Sequence, residues 1–168
     1  YDSEEEFIAS FVGNLMTYDK FADQNLSLED MSLGCYGEYS SQMFTAYIKG
    51  STVALLMDIV LLDKSNGTYG LRDLILELSK EYHWNKSFSE KDFYKEIVKR
   101  THPEIDTIIN KYIMKNDPIS YQLYFDKIGY NYIQNYRTGQ YENYVKKWIL
   151  IPVGDNVVIQ NPDLSDSL

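Results

Sequence analysis

Tyr47-Ile48-Lys49-Gly50-Ser51-Thr52-Val53-Ala54-Leu55-Leu56-Met57-Asp58-Ile59-Val60-Leu61-Leu62 is the stretch whose reading decides the fold. From Ser51 onward Asp58 is its one charge, and no polar stripe recurs at helical spacing. A helix without a polar face is stable in water only when neighbours cover it, so this segment reads as a central, buried helix over about residues 41–63. Lys49 and Asp58 argue against a membrane span, which asks for about 20 nearly uncharged residues. The two charges stand nine positions apart, on opposite faces at 100° per residue, so each requires its own partner.

The flanks supply more helices. Ser3-Glu4-Glu5-Glu6 is a capping box that opens an amphipathic helix, with Phe7, Ile8, Phe11, Val12 and Leu15 as its apolar stripe. Ser27-Leu28-Glu29-Asp30 repeats the capping signature. Asp63-Lys64-Ser65-Asn66-Gly67 ends the central helix in residues that tolerate left-handed backbone. Beyond it, Leu71, Leu74, Ile75, Leu78 and Tyr82 share one helical face, and Phe93, Ile97 and Val98 another after the Ser89/Asp92 cap. Pro103 suits the first position of a helix striped by Ile105, Ile108, Ile109, Tyr112 and Ile113, and a short helix from Ser120 to Ile128 stops at Gly129. After Gly129 the pattern turns strand-like: Tyr130, Tyr132 and Tyr136, an Arg137-Thr138-Gly139-Gln140 turn, then Trp148 to Ile151 and Val157 to Ile159 across Gly154-Asp155-Asn156.

The expectation is a mainly α chain: a bundle of about five to seven helices around the central one, with a small C-terminal β-hairpin or meander. Residues 1–129 read as the helical domain, 130–160 as a β appendage or the start of a following domain, and 161–168 as a loose tail.

Composition sets limits on function. The chain has 168 residues, 44% hydrophobic and 24% charged, enough for a core of its own. A net charge of −9 opposes phosphate-backbone binding, so nucleic acid is not an expected partner. The acidic start at Tyr1 carries no basic signal region, and with no leading methionine the chain looks like a piece cut from a longer protein. Its compartment therefore stays open among periplasmic, secreted and cytoplasmic. Cys35 reads as a small buried residue, and the sixteen tyrosines as half-buried rings with the hydroxyl at water.

A search for catalytic groups within the chain finds little. A His-Glu-x-x-His zinc helix fails at both histidines: the positions four and three before His83 are Ser79 and Lys80, and before His102 they are Val98 and Lys99. Both histidines read instead as helix-end residues whose cationic form would suit the local dipole. No phosphate-binding glycine loop, nucleophile elbow or Cys/His pair is present.

One set of motifs goes further. Tyr47-Ile48-Lys49-Gly50, Val53-Ala54-Leu55-Leu56-Met57-Asp58, Asn66-Gly67, Gly70-Leu71-Arg72-Asp73-Leu74, Tyr112-Ile113, Pro118-Ile119-Ser120-Tyr121 and Ile128-Gly129-Tyr130 follow one another over most of the chain. In order and spacing they resemble the C-terminal helical portion of the glycyl aminopeptidase family, PDZ-containing gluzincin zinc metallopeptidases. The family's His-Glu-x-x-His segment is absent, Leu61-Leu62 stand where an arginine is common, and Gly70 replaces a usual serine cap.

The resemblance implies a fragment of a zinc-dependent aminopeptidase that forms one wall of the substrate cleft. Tyr47 falls on the family's transition-state tyrosine, and Lys49, Gly50 and Asp58 are the accompanying motif residues, with Gly50 allowing a close backbone approach. No metal ligand is expected in this chain; zinc belongs to the parent protein. Peptide substrate and an upstream zinc-binding domain are the implied partners, and the chain alone is expected to be inactive. The alternative is a non-catalytic helical interaction module derived from a peptidase fold, docking partners through its tyrosine-rich C-terminal region.

Overall fold

In the computed structural model, residues 3–131, 149–153 and 156–160 are described. The chain is mainly helical. Among the described residues the helices are α1 (Glu4–Phe21), α2 (Leu28–Gly34), α3 (Met43–Lys64), α4 (Leu71–Glu81), α5 (Glu90–Arg100), α6 (Pro103–Ile108) and α7 (Tyr121–Phe125). They fall into two compact units, one from Asp23–Ile119, the other from Tyr1–Ala22 with Ser120–Leu168. By this division α1 and α7 belong to one unit and α2 to α6 to the other.

In the unit Asp23–Ile119, α3 is the core helix and packs against α2, α4 and α6. Ten of its residues are buried, among them Val53, Leu56 and Val60. With the preceding turn it forms a 25-residue apolar helix, long enough to cross a membrane, a property it shares with the core helices of soluble bundles. At its C-terminus Asn66 and Gly67 both adopt positive φ, and Gly67 N–H donates to Leu62 C=O at 2.8 Å. The Ser27 cap forms a complete reciprocal box with Asp30. Pro103 takes the first position of α6, whose stripe (Ile105, Ile108, Ile109, Tyr112) is buried and runs on into a π-helical turn at Ile109–Ile113.

His102 corrects an expectation. It is the N-cap of α6, and its Nδ1 accepts from Glu104 N–H at 3.3 Å, so the role requires a lone pair on the ring and not a cation. His83 lies exposed just past the end of α4. Cys35, expected inside, is half-buried at the C-cap of α2.

In the other unit the Ser3 hydroxyl accepts from Glu6 N–H, and Ile8, Phe11, Val12 and Leu15 form the buried face of α1. Phe11 meets Phe125 and Tyr121 of α7 at ring-centroid distances of 5.6 and 6.4 Å. Gly129, at φ 80°, ends the turn after α7, as only glycine does readily. Strand β1 (Tyr130–Asn131) pairs parallel with β3 (Asn156–Gln160), and β3 pairs antiparallel with β2 (Ile149–Val153), with Ile151 opposite Val158. The expectations at Tyr132, Tyr136, residues 137–140, Trp148, Gly154-Asp155 and 161–168 lie outside the described residues.

Candidate functional site

Tyr47 sits in the second turn of α3 rather than the first, because the helix begins at Met43 after a 3₁₀ turn at Ser40–Gln42. Its side chain is 70% exposed and that of Phe44, one turn before it, 64%. Tyr47 is therefore no core tyrosine. Proceeding along α3 at intervals of three and four, Phe44, Tyr47, Ser51, Leu55, Asp58 and Leu62 form a face that stays exposed or half-buried, while Thr45, Ile48, Thr52, Leu56 and Ile59 point inward. The uniformly apolar helix thus has one open side, which overturns burial on all sides.

Gly50 also departs from expectation. A Cβ built on it would meet nothing within 4 Å among the described residues, so none of them approaches closely enough to require glycine.

Lys49, two residues from Tyr47, faces the interior and is 4% exposed. Its ammonium donates to Asn116 Oδ1, and Asn116 Nδ2 donates to the Gln24 carbonyl at 2.6 Å. This relay joins α3, the segment after α6 and the loop before α2. Burial pushes the Lys49 amine down to about 8.

Asp58 finds its partner on α4. Its Oδ1 accepts from Leu71 N–H at 2.7 Å, while Asp73 Oδ2 accepts from Gly70 N–H at 2.9 Å. Two orphan donors at the start of α4 are satisfied, one by a carboxylate borrowed from α3. The borrowed cap explains Gly70. A Cβ there would lie 2.6 Å from Asp58 Oδ1 and 3.3 Å from Leu62 Cδ2, so a serine cap and the Asp58 cap exclude each other. Gly70→Ala is expected to destabilise the chain by about 1–2 kcal/mol, because either Asp58 swings off Leu71 N–H or the helices part. Asp58→Ala alone is expected to cost about 1 kcal/mol, and the two losses should fall short of additive in urea unfolding of the double variant. Strict additivity would mean that Gly70 does not serve the Asp58 cap.

Between α3 and α4 runs a shallow groove of about 400 Å³ lined by Ala54, Leu55, Asp58, Leu71, Arg72, Ile75 and Leu76. Of the stripe expected on α4, Leu74 is buried, but Ile75 is 55% exposed.

No protein-family model, curated protein or solved structure matches the chain.

The motif residues thus do not converge on one point. Tyr47 looks outward, Lys49 inward, Asp58 toward α4, and Gly50 serves no contact. Among the described residues no three His, Cys, Asp or Glu side chains stand close enough together to hold a metal ion. Sequence reasoning missed Asn116 and the exposed group Leu33, Tyr36 and Phe44, and it quoted Arg72 only as part of a motif, with no role. Phe44 was accessible in principle, since it precedes Tyr47 by three residues on a helix.

Proposed function

We propose that the chain is a helical fragment of an aminopeptidase-like metallopeptidase, forming one wall of its substrate cleft and presenting the Tyr47 phenol to a site that another part of the parent protein completes. The observation behind this reading is the exposure of Tyr47, 70% open on a helix that buries ten of its 22 residues. A phenol is protonated at neutral pH and donates one hydrogen bond, which suits it to meet the oxygen of a carbonyl under attack as negative charge develops there. Fixed on the second turn of a helix anchored by Thr45, Ile48 and Lys49, the ring needs little ordering when substrate arrives. Metal ligands are assigned to the parent protein, and nothing in the role of Tyr47 uses a ligand from this chain.

The parent protein is expected to carry a His-Glu-x-x-His segment N-terminal to Tyr1, to contain about one zinc per chain by atomic emission, and to release N-terminal residues from short peptides. The 168-residue chain alone is expected to cleave nothing. A parent without that segment and without bound metal would end the enzyme reading.

A second reading, a non-catalytic interaction module, draws on Leu33 at 83%, Tyr36 at 89% and Phe44 at 64% exposure, all within fifteen positions of Tyr47. Large apolar side chains exposed in number mark contact surfaces. A parent that lacks metal yet retains a partner sensitive to Phe44→Ser would favour it.

A further inference from the structure

We propose that the groove between α3 and α4 docks an amphipathic helix of a partner protein that carries an acidic side chain beside its apolar face. The proposal does not depend on the role given to Tyr47, which lies outside the groove lining.

The shape comes first. Leu71 and Ile75 form one ridge of α4 and Arg72 and Leu76 the next, each pair one turn apart, while Ala54 keeps the α3 wall low. Ile75 and Leu76, 55% and 40% exposed, stand open beside this floor although Leu74, just before them, is buried. A shallow apolar furrow between two packed helices accepts the side-chain ridge of a third, with anchors spaced i, i+3, i+4 and i+7.

Charge then selects the occupant. The Asp58 carboxylate in the groove wall is engaged by Leu71 N–H. Arg72 is exposed and makes no ion pair or hydrogen bond among the described residues, which is also true of the exposed Lys80, Lys99, Lys111 and Lys115, but Arg72 alone of these lines the groove. Arg72 also sits in the first turn of α4, where the helix dipole disfavours a cation. A guanidinium kept unpaired beside exposed leucine and isoleucine is matched by an incoming carboxylate, and arginine is enriched at such contacts. A second copy fits poorly: a furrow cannot fill a furrow, and each copy carries a net charge of −9.

The test uses two fluorescein-labelled peptides of about 16 residues, helix-favouring, with leucines at i, i+3, i+4 and i+7. One carries glutamates flanking the leucines and the other lysines. By fluorescence anisotropy at about 0.15 M salt, the glutamate peptide is expected to bind the full chain about fivefold more tightly, against the chain's overall charge. Arg72→Glu should reverse that preference. Ile75→Asp, at a half-exposed position, should weaken both peptides at least about tenfold with the circular dichroism spectrum and melting midpoint retained. Absence of binding by both peptides, a lysine preference in the wild type, or a glutamate preference that survives Arg72→Glu would overturn the proposal. So would sedimentation showing a dimer that Ile75→Asp dissociates, which would assign the groove to a second copy.

Discussion

Tyr47→Phe in the full-length parent protein is expected to lower kcat by about 10²–10³-fold while leaving KM nearly unchanged, because the lost hydroxyl serves the transition state and not the bound substrate. The structure makes this substitution a clean instrument. The Tyr47 ring is 70% exposed and its hydroxyl has no hydrogen-bond partner among the described residues, so folding has little at stake in the oxygen. Stability should change by less than about 0.5 kcal/mol. A core tyrosine would behave in the opposite way, losing stability along with activity. Two measurements therefore separate the outcomes: steady-state kinetics on a peptide substrate and thermal unfolding of the same preparation. Unchanged kcat in a stably folded variant would remove Tyr47 from the chemistry and leave it a surface tyrosine of an interaction face.

The legibility of this chain divides by the range of the forces involved. Caps and stops are encoded within four or five residues, so Ser3, Ser27, Asn66-Gly67, Pro103 and Gly129 could each be placed from sequence, and each shapes the backbone as its residue type dictates. The amphipathic stripes of α1 and α6 were readable for the same reason, through a period the chain repeats locally. The partners of the motif residues were not. Asp58 acts across 13 positions and Lys49 across 67, and no local pattern announces such pairings. The apolar run of α3 misled in a specific way. Lacking a polar stripe, it offered no sign of which side would stay open, and burial on every side was the natural inference. The open side is set by where α2, α4 and α6 pack, a tertiary outcome. Gly50 shows the converse error, since a glycine in a motif invites a close-contact explanation that the space around it does not support.

Lys49→Met is expected to stabilise the chain at pH 7 by about 2 kcal/mol, although it deletes a hydrogen-bonded residue of the core helix. Burial lowers the amine from 10.5 to about 8, and each unit of such a shift is worth about 1.4 kcal/mol, so keeping the ammonium charged at neutral pH costs stability. Methionine retains the unbranched stem without the charge, and Asn116, only half-buried, can take water in place of the lysine. A rise of roughly 2–4 °C in Tm per kcal/mol is expected for a domain of this size. The pH profile supplies the decisive sign. Between about 8 and 10.5 the unfolded chain holds the Lys49 proton and the folded chain has released it, so wild-type stability should climb with pH across that interval. Above pH 10 an opposing effect enters. Tyr18 and Tyr69 are both raised to about 12, so the unfolded chain ionises them first and folding loses their contribution as pH rises toward 12. The wild type should therefore show a stability maximum near pH 10 in urea titrations. In Lys49→Met the climb from pH 8 should vanish while the decline above pH 10 persists. A variant less stable than wild type at pH 7, or one that keeps the climb, would show that the Asn116 relay outweighs the desolvation of Lys49 and that the buried charge is a net support of the fold.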